Sequence, residues 1–283
     1  MSQLFISAIV FGTVILFGAL GEILTEKSGS LNLGVPGIMY LGGIAGLASA
    51  FFYEKAVTVP VPIVCVLISF TAAFAAAALG GLLGSFAIEK DGQWIASYGL
   101  KAFSPVAAGY GYSHCDDFGV SRSFGFARKH LGNDLMGSLG APIVAVEGGV
   151  VEAMGWNRYG GWRIGIRSFD SRRYYYYAHL QKDHPFAEGL AVGDMVSAGD
   201  LIGFMGRTGY SDKENVNNIE TVHLHFGLQL VFDESQKECN SEIWIDVYDI
   251  VRLLASHRSS LTKTSEGWRR VYPFRDLDVE EFQ

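Results

Sequence analysis

Val222-His223-Leu224-His225-Phe226-Gly227-Leu228-Gln229-Leu230 is the stretch whose reading decides the fold. Its alternation of apolar and imidazole side chains predicts a β-strand. Residues two apart on a strand face the same way, so His223 and His225 share one space while Leu224 and Phe226 face the opposite, core side. The same texture recurs upstream at 141–152, 162–168, 174–179 and 201–206. Gly148-Gly149, Gly160-Gly161, Gly193-Asp194 and Gly199-Asp200 are turn signals between these runs. Many short strands punctuated in this way predict a mainly β fold, an antiparallel sandwich or barrel-sandwich hybrid. One helix is expected over 246–256, where Val247, Ile250, Val251 and Leu254 recur at a period near 3.6.

Two further segments add histidines to the pair on the strand. In His130-Leu131-Gly132-Asn133-Asp134 the imidazole and carboxylate lie four apart; Gly132 and Gly137 disfavour a helix, so a turn or loop leading into a strand is expected. Tyr177-Ala178-His179-Leu180 carries a third position. Three protein ligands and a water are the pattern of a catalytic zinc, and two nitrogens with one carboxylate oxygen suit that ion. Zinc would lower the pKa of its water and polarise a carbonyl. Of His223 and His225, one can hold metal while the other acts on substrate. Each spacing is weak by itself; the three together are specific.

His130-x-Gly-x-Asp134, Tyr177-Ala-His179-Leu180 and His223-Leu-His225-Phe226 resemble the motifs of the lysostaphin/LytM-type zinc metallopeptidases that cut peptidoglycan. The glycines between them match as well, in Ala198-Gly199-Asp200-Leu-Ile-Gly203 and Gly206-Arg-Thr-Gly209 among others, and the resemblance covers about 122–250. It implies one Zn2+ held by His130, Asp134 and His225, with His179 and His223 as catalytic histidines. It also implies a metalloendopeptidase acting on peptidoglycan peptides outside the bacterial cytoplasm. Some proteins of this fold are non-catalytic cell-wall or sporulation scaffolds, typically with site residues lost; none is lost here. The 210–222 connection is longer than usual for the family, which predicts a surface loop or a rim over the cleft.

The first part of the chain points elsewhere. Residues 1–89 hold only six charged side chains, Glu22, Glu26, Lys27, Glu54, Lys55 and Glu89. Spans need roughly 20 apolar residues, so three transmembrane helices are expected at about 4–21, 35–53 and 61–88. The block from Gly21 through Asn32, Pro36 and Met39 resembles part of an ABC permease for sugars and nucleosides over 5–88. A truncated permease serving as an anchor is the expectation, with 89–121 as a linker, 122–260 as the peptidase domain and 261–283 as a charged tail. The formal net charge of −7 gives no sign of a nucleic-acid partner. Cys65, Cys115 and Cys239 are too scattered for a disulfide framework. His114, His184 and His257 are read as outside the site.

Overall fold

A computed structural model describes residues 46, 48–57, 61, 63–69, 82–122, 128–235, 242–265 and 267–277. The chain divides into two compact units, Met1–Leu83 and Gly84–Gln283. The expected membrane spans are corrected here. Among the described residues no helix is long and apolar enough to cross a membrane. The end of the third expected span, 61–88, is a β-strand from residue 83 onward. Uncharged composition was the basis for that span; what places residues 84–88 in a sheet is pairing with the far end of the chain and packing of Phe86 and Ile88 on Phe274. The span expected over 4–21 lies outside the described residues. Anchoring through N-terminal helices therefore finds no support.

Strands dominate the regular structure of the second unit. In chain order they are β1 (Leu83–Lys90), β2 (Gln93–Leu100), β3 (Tyr112–His114), β4 (Ser121–Arg122), β5 (Arg128–Lys129) and β6 (Asn133–Gly137). Next come β7 (Pro142–Val144), β8 (Gly149–Asn157), β9 (Gly161–Ser168), β10 (Arg173–Ala178), β11 (Met195–Val196) and β12 (Leu201–Phe204). β13 (His223–Leu230) and β14 (Ile243–Ile245) precede the helix Tyr248–Leu254, after which come β15 (Leu261–Thr264), β16 (Gly267–Arg270) and β17 (Phe274–Asp276).

The principal sheet runs β11-β8-β9-β10-β13-β6-β3, with β14 taking over from β6 along the second half of β13. Its pairings are antiparallel. Strand alternation sorts its residues by face. Ile164, Ile166, Tyr175, Tyr177, Leu224 and Phe226 are buried, and the Tyr177 and Phe226 rings lie 5.3 Å apart. The β7–β12 ribbon adds the buried Ile143 and Ile202, with Val144 packed against Phe103, Ala107, Ala198 and Phe274, and the Val146 N–H donates to the Tyr177 hydroxyl at 2.9 Å. The result is a mainly β, two-layered arrangement.

One ion pair sits in that core. Glu147 is 5% exposed; it accepts two hydrogen bonds of 2.8 Å from Arg173 and one from the Tyr175 hydroxyl. A buried carboxylate survives only when its lone pairs are satisfied in this way. The helix sits slightly inside its expected bounds, with Val251 and Leu254 buried. The Val247 N–H donates to Asn133 Oδ1 at 3.1 Å and so ties the helix entry to the residue before Asp134. The segment expected as a tail supplies the β15–β16 hairpin and β17, which pairs with β1.

Candidate active site

The cleft face of the principal sheet collects the histidines. Register places His225 opposite Asp134 of β6 on one side and opposite Ala178 of β10 on the other. His179 follows directly after β10 with φ of 62°, a left-handed conformation that a side chain adopts only where surrounding structure enforces it. His130 follows β5 in the loop that enters β6, as its glycines predicted. Two backbone bonds hold it there: its N–H donates to Val120 and its carbonyl accepts from Gly119. His130, Asp134, His179 and His223 are all buried.

Three donor atoms converge. His130 Nε2 lies 2.7 Å from His225 Nδ1 and 3.1 Å from Asp134 Oδ1; His225 Nδ1 lies 3.3 Å from the same oxygen. Two ligands about 2.05 Å from a tetrahedral ion would stand about 3.3 Å apart, so this group has the spacing and donor types for a metal ion. The surroundings set the donors in the right state. His130 Nδ1 faces the Asp117 carbonyl oxygen at 3.0 Å. A carbonyl only accepts, so Nδ1 carries the proton and Nε2 keeps its lone pair for the ion. Asp117 also takes the Asp134 backbone N–H on Oδ1 and the Arg122 guanidinium on Oδ2, at 3.2 and 2.6 Å. Arg122 in turn reaches Asp134 Oδ2 at 2.9 Å. Burial alone would push the Asp134 carboxyl up, but hydrogen bonds from His130 and His225 and the charges of His225 and His223 outweigh it and hold the group far below the ordinary carboxylate range. It is ionised at any physiological pH.

The other two histidines stand beside this group. His179 and His223 have ring centroids 4.7 Å apart, and His223 Nε2 is 3.8 Å from Asp134 Oδ1. His179 Nδ1 donates to the Thr208 carbonyl at 2.8 Å, and His223 Nδ1 to the Thr221 carbonyl at 2.9 Å. Both bonds leave Nε2 as an acceptor. Burial, aided by the charges of His223 and His225, pushes His179 well below the usual imidazole value, so its ring is neutral near pH 7. Two glycines make room. A Cβ at Gly132 would stand 2.5 Å from the Phe226 carbonyl oxygen and under 3 Å from the His225 ring. A Cβ at Gly209 would stand 2.5 Å from the Tyr159 carbonyl oxygen.

The sheet face and its loops bound a cleft of about 710 Å³. The long 210–222 connection forms part of its rim through Tyr210. It is pinned by backbone bonds from Tyr210 and Ser211 to Tyr159 and Arg158 and by Asn215, which accepts from the Trp162 indole at 2.9 Å and donates to Asp183. Cys115 is exposed and is not among the clustered ligands. His114 packs on Tyr248, and His257 donates to the Ala102 carbonyl. Sequence reasoning missed Asp117, Arg122 and the carbonyl of Thr208. An acidic signal was present at Asp116-Asp117, but no local spacing tells that Asp117 lies behind His130.

Residues 128–239 match peptidase family M23. The chain is 40% identical over 130 residues to the L-Ala--D-Glu endopeptidase of Bacillus subtilis, covering 46% of this chain and 38% of that protein. It is 32% identical over 139 residues to lysostaphin of Staphylococcus simulans, covering 49% of this chain and 23% of that protein. The chain thus spans well under half the length of these curated relatives. Among solved structures, one described as a glycyl-glycine endopeptidase lytM, from Ruminococcus gnavus ATCC 29149, aligns with a TM-score of 0.51 at 25% identity, covering 81% of this chain and 84% of that one. The resemblance drawn from the three histidine motifs holds over this segment. Neither the family match nor these relatives support the permease resemblance of 5–88.

Proposed function

From a chain whose residues 128–239 match peptidase family M23, we propose a zinc-dependent endopeptidase that hydrolyses peptide bonds of bacterial cell-wall peptidoglycan, on the extracytoplasmic side. The observation that carries this reading is the convergence of His130 Nε2, Asp134 Oδ1 and His225 Nδ1 beside two histidines with free Nε2 acceptors. His130, Asp134 and His225 would hold the ion. When bound, zinc supplies a water of lowered pKa and a Lewis acid for the scissile carbonyl.

His179 and His223 do the remaining work. Each is locked by a carbonyl into the tautomer that presents an unprotonated Nε2. Either can accept the proton released as the water attacks, the part of a general base. Once protonated, the same Nε2 donates, first toward the negative oxygen of the tetrahedral intermediate and then toward the departing amine. His179, kept neutral by burial, suits the first of these tasks. Tyr210, whose ring centroid is 5.9 Å from that of His179, lies at the same edge of the cleft. The names of the relatives suggest two bond classes, one flanked by an acidic residue and one between glycines.

The test is digestion of purified peptidoglycan by the full chain, with mass analysis of the released peptides. Lysis abolished by chelator and restored by zinc, and lost in His179→Ala and His225→Ala, is the expected result. Full lytic activity in His179→Ala would overturn the assignment, and zinc binding at one equivalent without any hydrolysis would turn the reading toward a scaffold.

A further inference from the structure

The cleft has a charged wall that the hydrolytic chemistry does not use. Arg163 sits on β9, whose Ile164 and Ile166 are buried in the core; alternation therefore turns Arg163 to the cleft face, and it lines the cleft. Register extends the row. Tyr177 pairs with Ile164 and Ala178 with His225, so Arg163 lies one position past the last β9–β10 pair, beside Ala178. His225 and Arg163 are thus two strands apart in one row, about 10 Å between Cα atoms at the usual strand spacing. An extended peptide crosses that distance in about three residues, and the length of an arginine side chain shortens the gap to one or two.

Arg163 is half-buried, and its side chain makes no hydrogen bond or ion pair with any described residue. The acidic groups on the same wall have partners: Glu152 binds Arg167 at 3.0 Å, and Glu242 accepts from the Trp244 indole at 2.9 Å. Its other neighbours are the Tyr174 and Tyr176 hydroxyls, both pushed up by burial and hence neutral, and Tyr176 is bound to Asn157 at 2.9 Å. Arg122, beside the metal ligands, is consumed by Asp117 and Asp134, and Arg128, also on the cleft wall, lies over the Tyr159 and Tyr210 rings. A half-buried guanidinium with no ion-pair partner among the described residues presents a planar fork suited to a carboxylate.

We infer that Arg163 binds a free carboxylate carried by the substrate within one or two residues of the scissile bond, so that the substrate class is an acidic peptide rather than a run of glycines. This rests on the endopeptidase reading above and narrows it.

The experiment uses the zinc-loaded full chain and two pairs of synthetic peptides. Within each pair the sequences are identical except that the residue next to the scissile bond has its carboxylate free or amidated; one pair places it on the amine side, the other on the carbonyl side. The expected result is a preference for the free carboxylate on the order of tenfold to a hundredfold in kcat/KM in one pair, the range of a charge-assisted bidentate contact. Arg163→Gln brings that ratio to about one, and Arg163→Lys restores part of it. An equal ratio in wild type and Arg163→Gln, or no discrimination in either pair, overturns the assignment. If wild type cuts none of the peptides, the hydrolytic reading fails instead. The assignment is then decided by calorimetric binding of the same pairs, where loss of the Kd preference in Arg163→Gln supports it and an unchanged preference sinks it.

Discussion

Gly132→Ala isolates how the backbone positions a metal ligand. Gly132 is not in the left-handed region, so alanine meets no conformational penalty there; its cost is purely one of space. The added Cβ would stand 2.5 Å from the Phe226 carbonyl oxygen, 2.8 Å from His225 Cε1 and 2.9 Å from His225 Nε2. The first contact is with the backbone of β13, which is paired on both sides by β10 and β6 and cannot recede. The second and third push the ring that offers Nδ1 to the metal. Overpacking of this kind costs about 1–3 kcal/mol, and loss of the glycine's unfolded-state freedom returns about 0.4–1 kcal/mol. Net destabilisation of about 0–2.6 kcal/mol is expected, with a fall in zinc affinity of about 10–100-fold, the scale seen when groups supporting a ligand are disturbed. Zinc affinity is read by competition with a chelating dye, and stability by urea unfolding with and without chelator. Gly193→Ala is the contrast. Its φ of 97° makes alanine strained, yet nothing lies within 4 Å of the new Cβ, so stability falls while zinc affinity holds. Unchanged zinc affinity in Gly132→Ala would refute the argument that this glycine exists to seat His225.

Three further outcomes follow from the same geometry. Asp117→Ala removes the carboxylate that takes the Asp134 N–H and the Arg122 guanidinium, and zinc affinity is expected to drop about 10–100-fold with the fold retained by circular dichroism. Glu147→Gln leaves the buried Arg173 guanidinium beside a neutral amide with Asp170 as its remaining carboxylate partner at 3.0 Å, at a cost of about 1–3 kcal/mol and a fall in melting temperature of roughly 2–10 °C; His179 and His223 lie on the opposite face, so kcat in the surviving folded fraction stays near wild type. The third concerns pH in chelator. His179 and His225 are both pushed below their unfolded value of 6.5, chiefly by burial, so below that pH the unfolded chain binds protons that the folded one refuses. Stability must fall as pH drops from 6.5, by up to about 1.4 kcal/mol per pH unit for each histidine, and Asp134, held below its unfolded 3.8, adds to the loss in stronger acid. Urea midpoints between pH 8 and 5 check this; a midpoint that is flat or rises on acidification contradicts it, and His179→Gln should flatten the slope.

Much of the site was legible from local spacing, because strand alternation is a property of the backbone. His223-Leu-His225-Phe226 announced two imidazoles on one face and two apolar groups on the other, and His130 and Asp134 announced a carboxylate beside a ring. The family match then agrees with the motifs over 128–239. The N-terminal reading failed for a related reason. Hydropathy counts side chains, whereas a strand such as Leu83–Lys90 is decided by where its backbone groups find partners, in this case β17 nearly two hundred residues later.

The sequence by itself thus marked the histidines and the carboxylate that the fold gathers in one cleft, and the face of the strand that His223 and His225 occupy. Only the tertiary structure decided which nitrogen of each ring is available, since Thr208, Thr221 and Asp117 reach the rings through backbone carbonyls that have no side-chain signature. It alone placed Arg163 in the row of His225, because adjacency across a sheet depends on strand order and register, and neither is written in any local stretch of the chain.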